Sequence, residues 1–172
     1  MRFTIITPSL NYGHFIGECL ESVAGQVDDS KAEKICGIEI EHIVIDGGST
    51  DESAEVVARF PHVKWIQESD DGMSDAINKG FDKATGEWVM WLNADDRLKP
   101  GSLEKMVAEL DKTNADVVYG DWDFIDEKGG NLKACDPTPL VAFCACASSL
   151  LHWIDLRVLP ALDGDRCRLP AA

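Results

Sequence analysis

Four short apolar runs recur along the chain: FTIIT at 3–7, HIVI at 42–45, VKWI at 63–66 and WVMWL at 88–92. They are rich in β-branched and aromatic residues and too short for helices, so they read as buried strands. Between them, apolar residues fall three and four apart. Ile16, Cys19, Leu20 and Val23 form one such stripe; Met73, Ala76, Ile77, Gly80, Phe81 and Ala84 a second; Leu103, Met106, Val107 and Leu110 a third. Each predicts a helix with one buried face. A shorter helix after Thr50 is expected from Ala54, Val57 and Phe60, with Ser49 and Glu52 spaced as a capping box.

Strand and helix alternating four times predict an α/β fold, a doubly wound and mainly parallel sheet flanked by helices. A strand at 116–119 would extend the sheet, and 122–125 and 131–133, around the turn EKGG at 127–130, read as a hairpin. Beyond residue 133 the periodicity stops. The expected division is therefore an α/β domain over 1–132 and an atypical tail over 133–172.

Charge sharpens that division. Of 31 acidic and 16 basic residues, 27 and 12 lie in 1–132, so the whole net charge of −15 belongs to the first part. Nucleic acid is a poor match for such a surface and is excluded as an expected partner. Four of the six cysteines, Cys135, Cys144, Cys146 and Cys167, lie in the tail without the spacing of a zinc site. No basic-then-apolar leader precedes the first strand, so the expected location is cytoplasmic with reduced thiols. No run reaches the length of a membrane span. The apolar stretch 140–154 is expected to be exposed, favouring peripheral contact with a membrane face or association between copies.

In a sheet of this kind ligands gather outside the carboxyl ends of the strands. TPSLN at 7–11, DGGSTD at 46–51, ESDDG at 68–72 and NADD at 93–96 all fall there. Each has an ordinary reading as a turn or helix cap. Together, three loops bring carboxylates to one edge, where they repel unless protons or a cation intervene. Mg²⁺ or Mn²⁺ with oxygen ligands answers that repulsion and would also hold a diphosphate. Two nearby motifs are excluded. IDGGSTD lacks the nucleophile of haloacid-dehalogenase-like phosphatases, since position 44 is Val44, and no G-x-G-x-x-G or Walker lysine follows the first strand.

Five ordered blocks, FTIITPSLN (3–11), HIVIDGGSTDES (42–53), ESDDGMSDAINKG (68–80), ATGEW (84–88) and WLNADD (91–96), resemble family 2 glycosyltransferases. The likeness covers about residues 3–125 and is greatest to the bacterial branch that builds cell-surface polysaccharides. It implies an A-type nucleotide-sugar-binding fold, a nucleoside-diphosphate sugar donor, a divalent cation and a saccharide or lipid-linked acceptor. By the same resemblance Thr7, Pro8 and Ser9, with Asn11 after them, lie against base and ribose. Asp46 hydrogen-bonds the base, Asp71 reaches the nucleotide, and Asn78 supports the site. Asp95 faces the ribose, and Asp96, with Asp95, holds the metal. The family's DxD element reads Asn93-Ala94-Asp95-Asp96 here, so Asn93 lends an amide oxygen or leaves its place to water.

Inverting members of the family carry a carboxylate base some 80–100 residues after the DxD element. Leu169 to Ala172 lie only 73–76 positions after Asp96, so the count passes them, and the tail's acids, Asp136, Asp155, Asp163 and Asp165, lack the family's context. No catalytic base is assigned. Two readings follow: a metal-dependent sugar transferase, or a nucleotide-diphosphate-binding remnant that transfers nothing.

Overall fold

A computed structural model describes residues 1–27, 37–112, 117, 118, 120, 123–134 and 144–146. The elements in chain order are β1 (Arg2–Ser9), α1 (Gly13–Ala24) continued by a 3₁₀ turn (Gly25–Val27), β2 (Glu39–Asp46), α2 (Ser53–Val57), β3 (Val63–Gln67), α3 (Met73–Lys83), β4 (Trp88–Trp91) and α4 (Ser102–Leu110). Four short strands follow: β5 (Val117–Val118), β6 (Asp123–Ile125), β7 (Asn131–Ala134) and β8 (Cys144–Cys146).

The main sheet runs β3-β2-β1-β4-β8-β5, and β6 pairs with β7 separately as the expected hairpin. Strands β1 to β4 are mutually parallel where they pair, while β8 lies antiparallel between β4 and β5. The order reverses between β1 and β4. That reversal opens a crevice at the carboxyl ends of these two strands.

Both faces of β1 are covered, which accounts for its unbroken apolar run. Phe3 and Ile5 pack with Cys19 and Val23 of α1 and with Leu103, Met106 and Leu110 of α4. Ile6 faces the opposite way, toward Ile43, Ile45 and Ala76 of α3. A third cluster joins Ile16 and Leu20 to Val44, Val57 and Ala94.

Three local expectations are corrected. Ser49 does not cap α2: its hydroxyl donates to Asp46, and the Ser53 N–H at the helix start bonds Asp51 Oδ1 at 3.0 Å instead. The Asp46 carboxylate competes successfully for Ser49 because it is fully buried and needs donors. Met73 sits on the expected apolar stripe yet is 58% exposed, being the first residue of α3, where the helix has only begun to cross the sheet. Strand β8 falls in the stretch without periodicity; three residues are too few to show any. The stretch 140–154 and the tail's acids lie outside the described residues, apart from the backbone of β8.

Candidate functional site

Main-chain bonds draw the loops after β1, β2 and β3 together. Gly47 N–H donates to Ser9 O at 2.9 Å and Glu68 N–H to Asp46 O at 2.9 Å. Asp46 is the buried post of this arrangement. Its Oδ2 accepts from the Ser49 N–H at 2.9 Å, the Gly48 N–H at 3.2 Å and Gln67 Nε2 at 3.0 Å, while Oδ1 takes the Ser49 hydroxyl. A Cβ at position 47 would lie 2.6 Å from Asp70 Oδ2, the end of a side chain that can turn aside, whereas Gly48, with φ +106°, is required by the turn.

Asn11 performs a similar duty between loops. With φ 58°, it donates its N–H to Ser49 Oγ at 2.7 Å and accepts the Thr50 N–H on Oδ1 at 2.9 Å. Thr7 points inward, its hydroxyl 2.9 Å from His42 Nε2 and 3.9 Å from Cys19 Sγ. Burial, reinforced by Asp96 and Asp95, pushes the Cys19 thiol up to about 12 despite its contact with Thr7, which rules out a reactive thiolate. Asp51 serves two helices at once, accepting from Gly13 N–H at 2.9 Å as well as from Ser53.

Asp71 is exposed at the entry to α3, where its N–H bonds Asp75 Oδ2 at 3.1 Å, and Asn78 lies half-buried on the next turn. Lys79 holds this loop from below, donating to Ser69 O at 2.6 Å and pairing with Asp75 at 2.8 Å.

The acidic pair follows β4. Asn93 to Asp96 form a turn closed twice, by Asp96 N–H to Asn93 O at 3.0 Å and by Asn93 Nδ2 to Asp96 Oδ2 at 2.9 Å. Asp96 is exposed as a residue, but its carboxylate is shielded enough that desolvation, with Asp95 beside it, raises its pKa against the pull of Asn93. Beside Asp95 a cleft of about 160 Å³ opens between Phe15, Glu18, Arg97 and residues 125–127 of the hairpin.

Ser9 Oγ and Asn93 Oδ1 stand out at this edge. Among the described residues only these two and His42 Nδ1 are buried side-chain polar atoms without a hydrogen-bond partner. Ile6 pairs with Trp91, so Ser9 and Asn93 lie three and two residues past the same rung, flanking the crevice where the strand order reverses. Unsatisfied buried atoms are rare in folded proteins, and a bound ligand is one way in which such atoms gain their missing partners.

No group of three or more His, Cys, Asp or Glu able to hold a metal occurs among the described residues. Asp95 and Asp96 are adjacent carboxylates, the ligand type hard divalent ions take, while Asn93 turns its Nδ2 rather than its Oδ1 toward Asp96.

The model of glycosyl transferase family 2 matches residues 4–145. The chain belongs to glycosyl transferase family 2. The match crosses the composition break at 133 and takes in most of β8. Among curated relatives, a PGL/p-HBAD biosynthesis glycosyltransferase of Mycobacterium bovis is 37% identical over 126 residues, covering 69% of this chain and 46% of the relative. The chain thus spans less than half the length of that protein. Among solved structures, Staphylococcus aureus TarS 1–349 in complex with UDP-GlcNAc superposes with a TM-score of 0.59 and 30% identity, over 68% of this chain and 33% of that one. A mannosyltransferase of Pyrobaculum calidifontis in complex with GDP-Man and Mn²⁺ gives 0.56 and 28%, over 69% and 34%.

Sequence reasoning found every loop of this edge. It missed Asn93 as a partner of Asp96 and Asp51 as a double cap. It also missed Glu18, Ser22 and Gln26, whose spacing of four was the available signal.

Proposed function

We propose that this chain is the donor-binding part of a glycosyltransferase that takes a sugar from a nucleoside diphosphate and passes it to a saccharide or lipid-linked acceptor in surface polysaccharide or glycoconjugate synthesis. The observation that carries this reading is the pair of unpartnered buried oxygens, Ser9 Oγ and Asn93 Oδ1, flanking the crevice beside Asp95 and Asp96. The sugar-nucleotide complexes of the two structural relatives support it.

In this reading Pro8, Ser9, Asp71 and Asn78 line the nucleotide. Thr7, Asn11 and Asp46 shape the loops that receive it, since their side chains are occupied within the protein. Asp95 faces the ribose, and Asp96 with Asp95 and Asn93 would hold Mg²⁺ or Mn²⁺. Such an ion neutralises charge on the departing diphosphate. In the transfer, a bond forms between an acceptor oxygen and the anomeric carbon while the bond from that carbon to the diphosphate breaks. The acceptor's proton passes to a carboxylate base, to which no residue is assigned.

Titration calorimetry with UDP and GDP, with and without Mn²⁺, tests the reading. Binding that strengthens with Mn²⁺ and is lost in Asp96→Ala supports it; absence of binding in the wild type, or unchanged affinity in Asp96→Ala, overturns it. A second reading is a nucleotide-diphosphate-binding remnant without transfer. Release of free sugar from a donor sugar nucleotide, measured by chromatography, excludes that second reading. No helix among the described residues is long and apolar enough to cross a membrane.

A further inference from the structure

The turn carrying Asp95 and Asp96 is fastened to the rest of the fold chiefly from α1. Glu18, Ser22 and Gln26 lie four residues apart, so they form one ridge along α1 and its 3₁₀ extension. Each reaches a successive residue after the acidic pair. Glu18 pairs with Arg97; Ser22 Oγ accepts the Leu98 N–H at 3.0 Å; Gln26 Nε2 donates to Lys99 O at 3.1 Å. Gln26 Oε1 also accepts the Leu103 N–H at 3.2 Å, so one amide clamps both the end of the turn and the start of α4.

Gln26 is only 5% exposed, and its amide completes both bonds inside the protein. Such a group fixes main-chain positions rather than solvating a surface. The apolar stripe of α1, Ile16, Cys19, Leu20 and Val23, already anchors the helix to the sheet. The polar ridge beside it is therefore free to set where the turn sits, and Lys99 pairing with Asp123 of β6 extends the same hold to the hairpin.

We infer that Glu18, Ser22 and Gln26 are positioning residues for the diphosphate end of the donor site, acting through residues 97–99 on Asp95 and Asp96. This rests on the donor-binding reading above. Ser22 and Gln26 stand behind the turn, and Glu18 also lines the cleft beside Asp95, so Gln26 and Ser22 give the cleaner test. Their effect falls on the phosphate-and-metal end and spares the base end, which is built by the loops after β1, β2 and β3.

The test compares UDP with UMP by calorimetry in the presence of Mn²⁺, using GDP and GMP if the wild type prefers guanine. Gln26→Leu, close to isosteric, should weaken UDP binding by about tenfold to a hundredfold, the typical cost of losing a group that orients a metal ligand. UMP affinity should change by less than about twofold, because the orienting loss falls beyond the first phosphate. Ser22→Ala and Glu18→Gln remove milder contacts nearer the surface; they carry the same test if Gln26→Leu does not fold, with smaller losses in the same direction. Equal losses for UMP and UDP, or unchanged UDP affinity in folded variants, overturn the inference. A wild type that binds neither UDP nor GDP overturns the donor-binding reading itself, and this inference with it.

Discussion

The two ends of one sheet use carboxylates in opposite ways. At the amino end, Glu41 is satisfied from all sides. Its Oε2 accepts the Thr4 hydroxyl at 2.6 Å and both the N–H and hydroxyl of Thr85 at 2.8 Å, while Oε1 pairs with Lys64. Burial alone would raise this carboxyl, yet Lys64, Thr4 and Thr85 outweigh it and hold its pKa at about 2. At the carboxyl end, Asp95 and Asp96 stand side by side, the Asp96 carboxyl is pushed up, and buried oxygens nearby lack partners. Glu41 is enclosed by donors that stabilise the fold, whereas Asp96 takes one side-chain donor, Asn93 Nδ2.

Removing Glu41 should break this contrast most strongly. Glu41→Ala is expected to cost about 2 to 3 kcal/mol in urea unfolding: the shift itself corresponds to about 3, and screening through Lys64 reduces it. Next comes Gly86→Ala, also at the amino end, where a Cβ would lie 2.7 Å from Thr4 N and 2.9 Å from Arg2 O. Backbone cannot move aside easily, so a loss of about 2 kcal/mol is expected from overpacking, read as a lower denaturation midpoint at unchanged slope.

Acid should expose two separate windows. His42 is buried and neutral, lowered from 6.5 to about 3 by burial with His62 adding to it, and Glu41 is lowered from 4.5 to about 2. Both groups bind more protons unfolded than folded, so stability is fully present above pH 6.5 and falls as the pH drops. The His42 contribution declines from 6.5 toward 3 and that of Glu41 from 4.5 toward 2. Glu41→Gln should remove the lower window from a plot of melting temperature against pH and leave the upper one. A midpoint that stays flat between pH 6.5 and 4.5 would contradict the assignment to His42.

The smallest effect on stability is expected at the other end. Asp96→Asn removes a charge that the fold disfavours, so stability should shift by no more than about 0.5 kcal/mol in either direction. Nucleotide binding with Mn²⁺ should nonetheless collapse. A large stability loss there would mean that Asp96 is a structural acid like Glu41, and the contrast between the two ends would fail.

Much of this is legible along the chain. The runs at 3–7, 42–45 and 88–92 are parallel strands because burial on both faces leaves a continuous apolar signal, whereas the run at 63–66, expected to be buried as well, is the edge strand β3 and has no fully buried residue. The stripes of α1 and α4 hold as well, since Ile16, Cys19, Leu20, Val23, Leu103, Met106 and Leu110 are all buried. Ser49 misleads because a capping-box spacing says nothing of a buried carboxylate three residues earlier that competes for the same hydroxyl. Strand β8 escapes sequence reasoning because its pairing with β4 and β5 comes entirely from distant chain.

The sequence by itself determined the alternation of elements, the acidic loops at strand ends and the family, because these depend on local periodicity and ordered blocks. Only the tertiary structure decided which carboxylates are enclosed by donors. Asp46 and Asp95 read alike along the chain, but one is enclosed by four donors and the other faces a cleft. Three of the four donors to Asp46 come from its own loop, but the enclosure is completed by Gln67 from β3 and by burial under the packed sheet, which no spacing within one loop encodes.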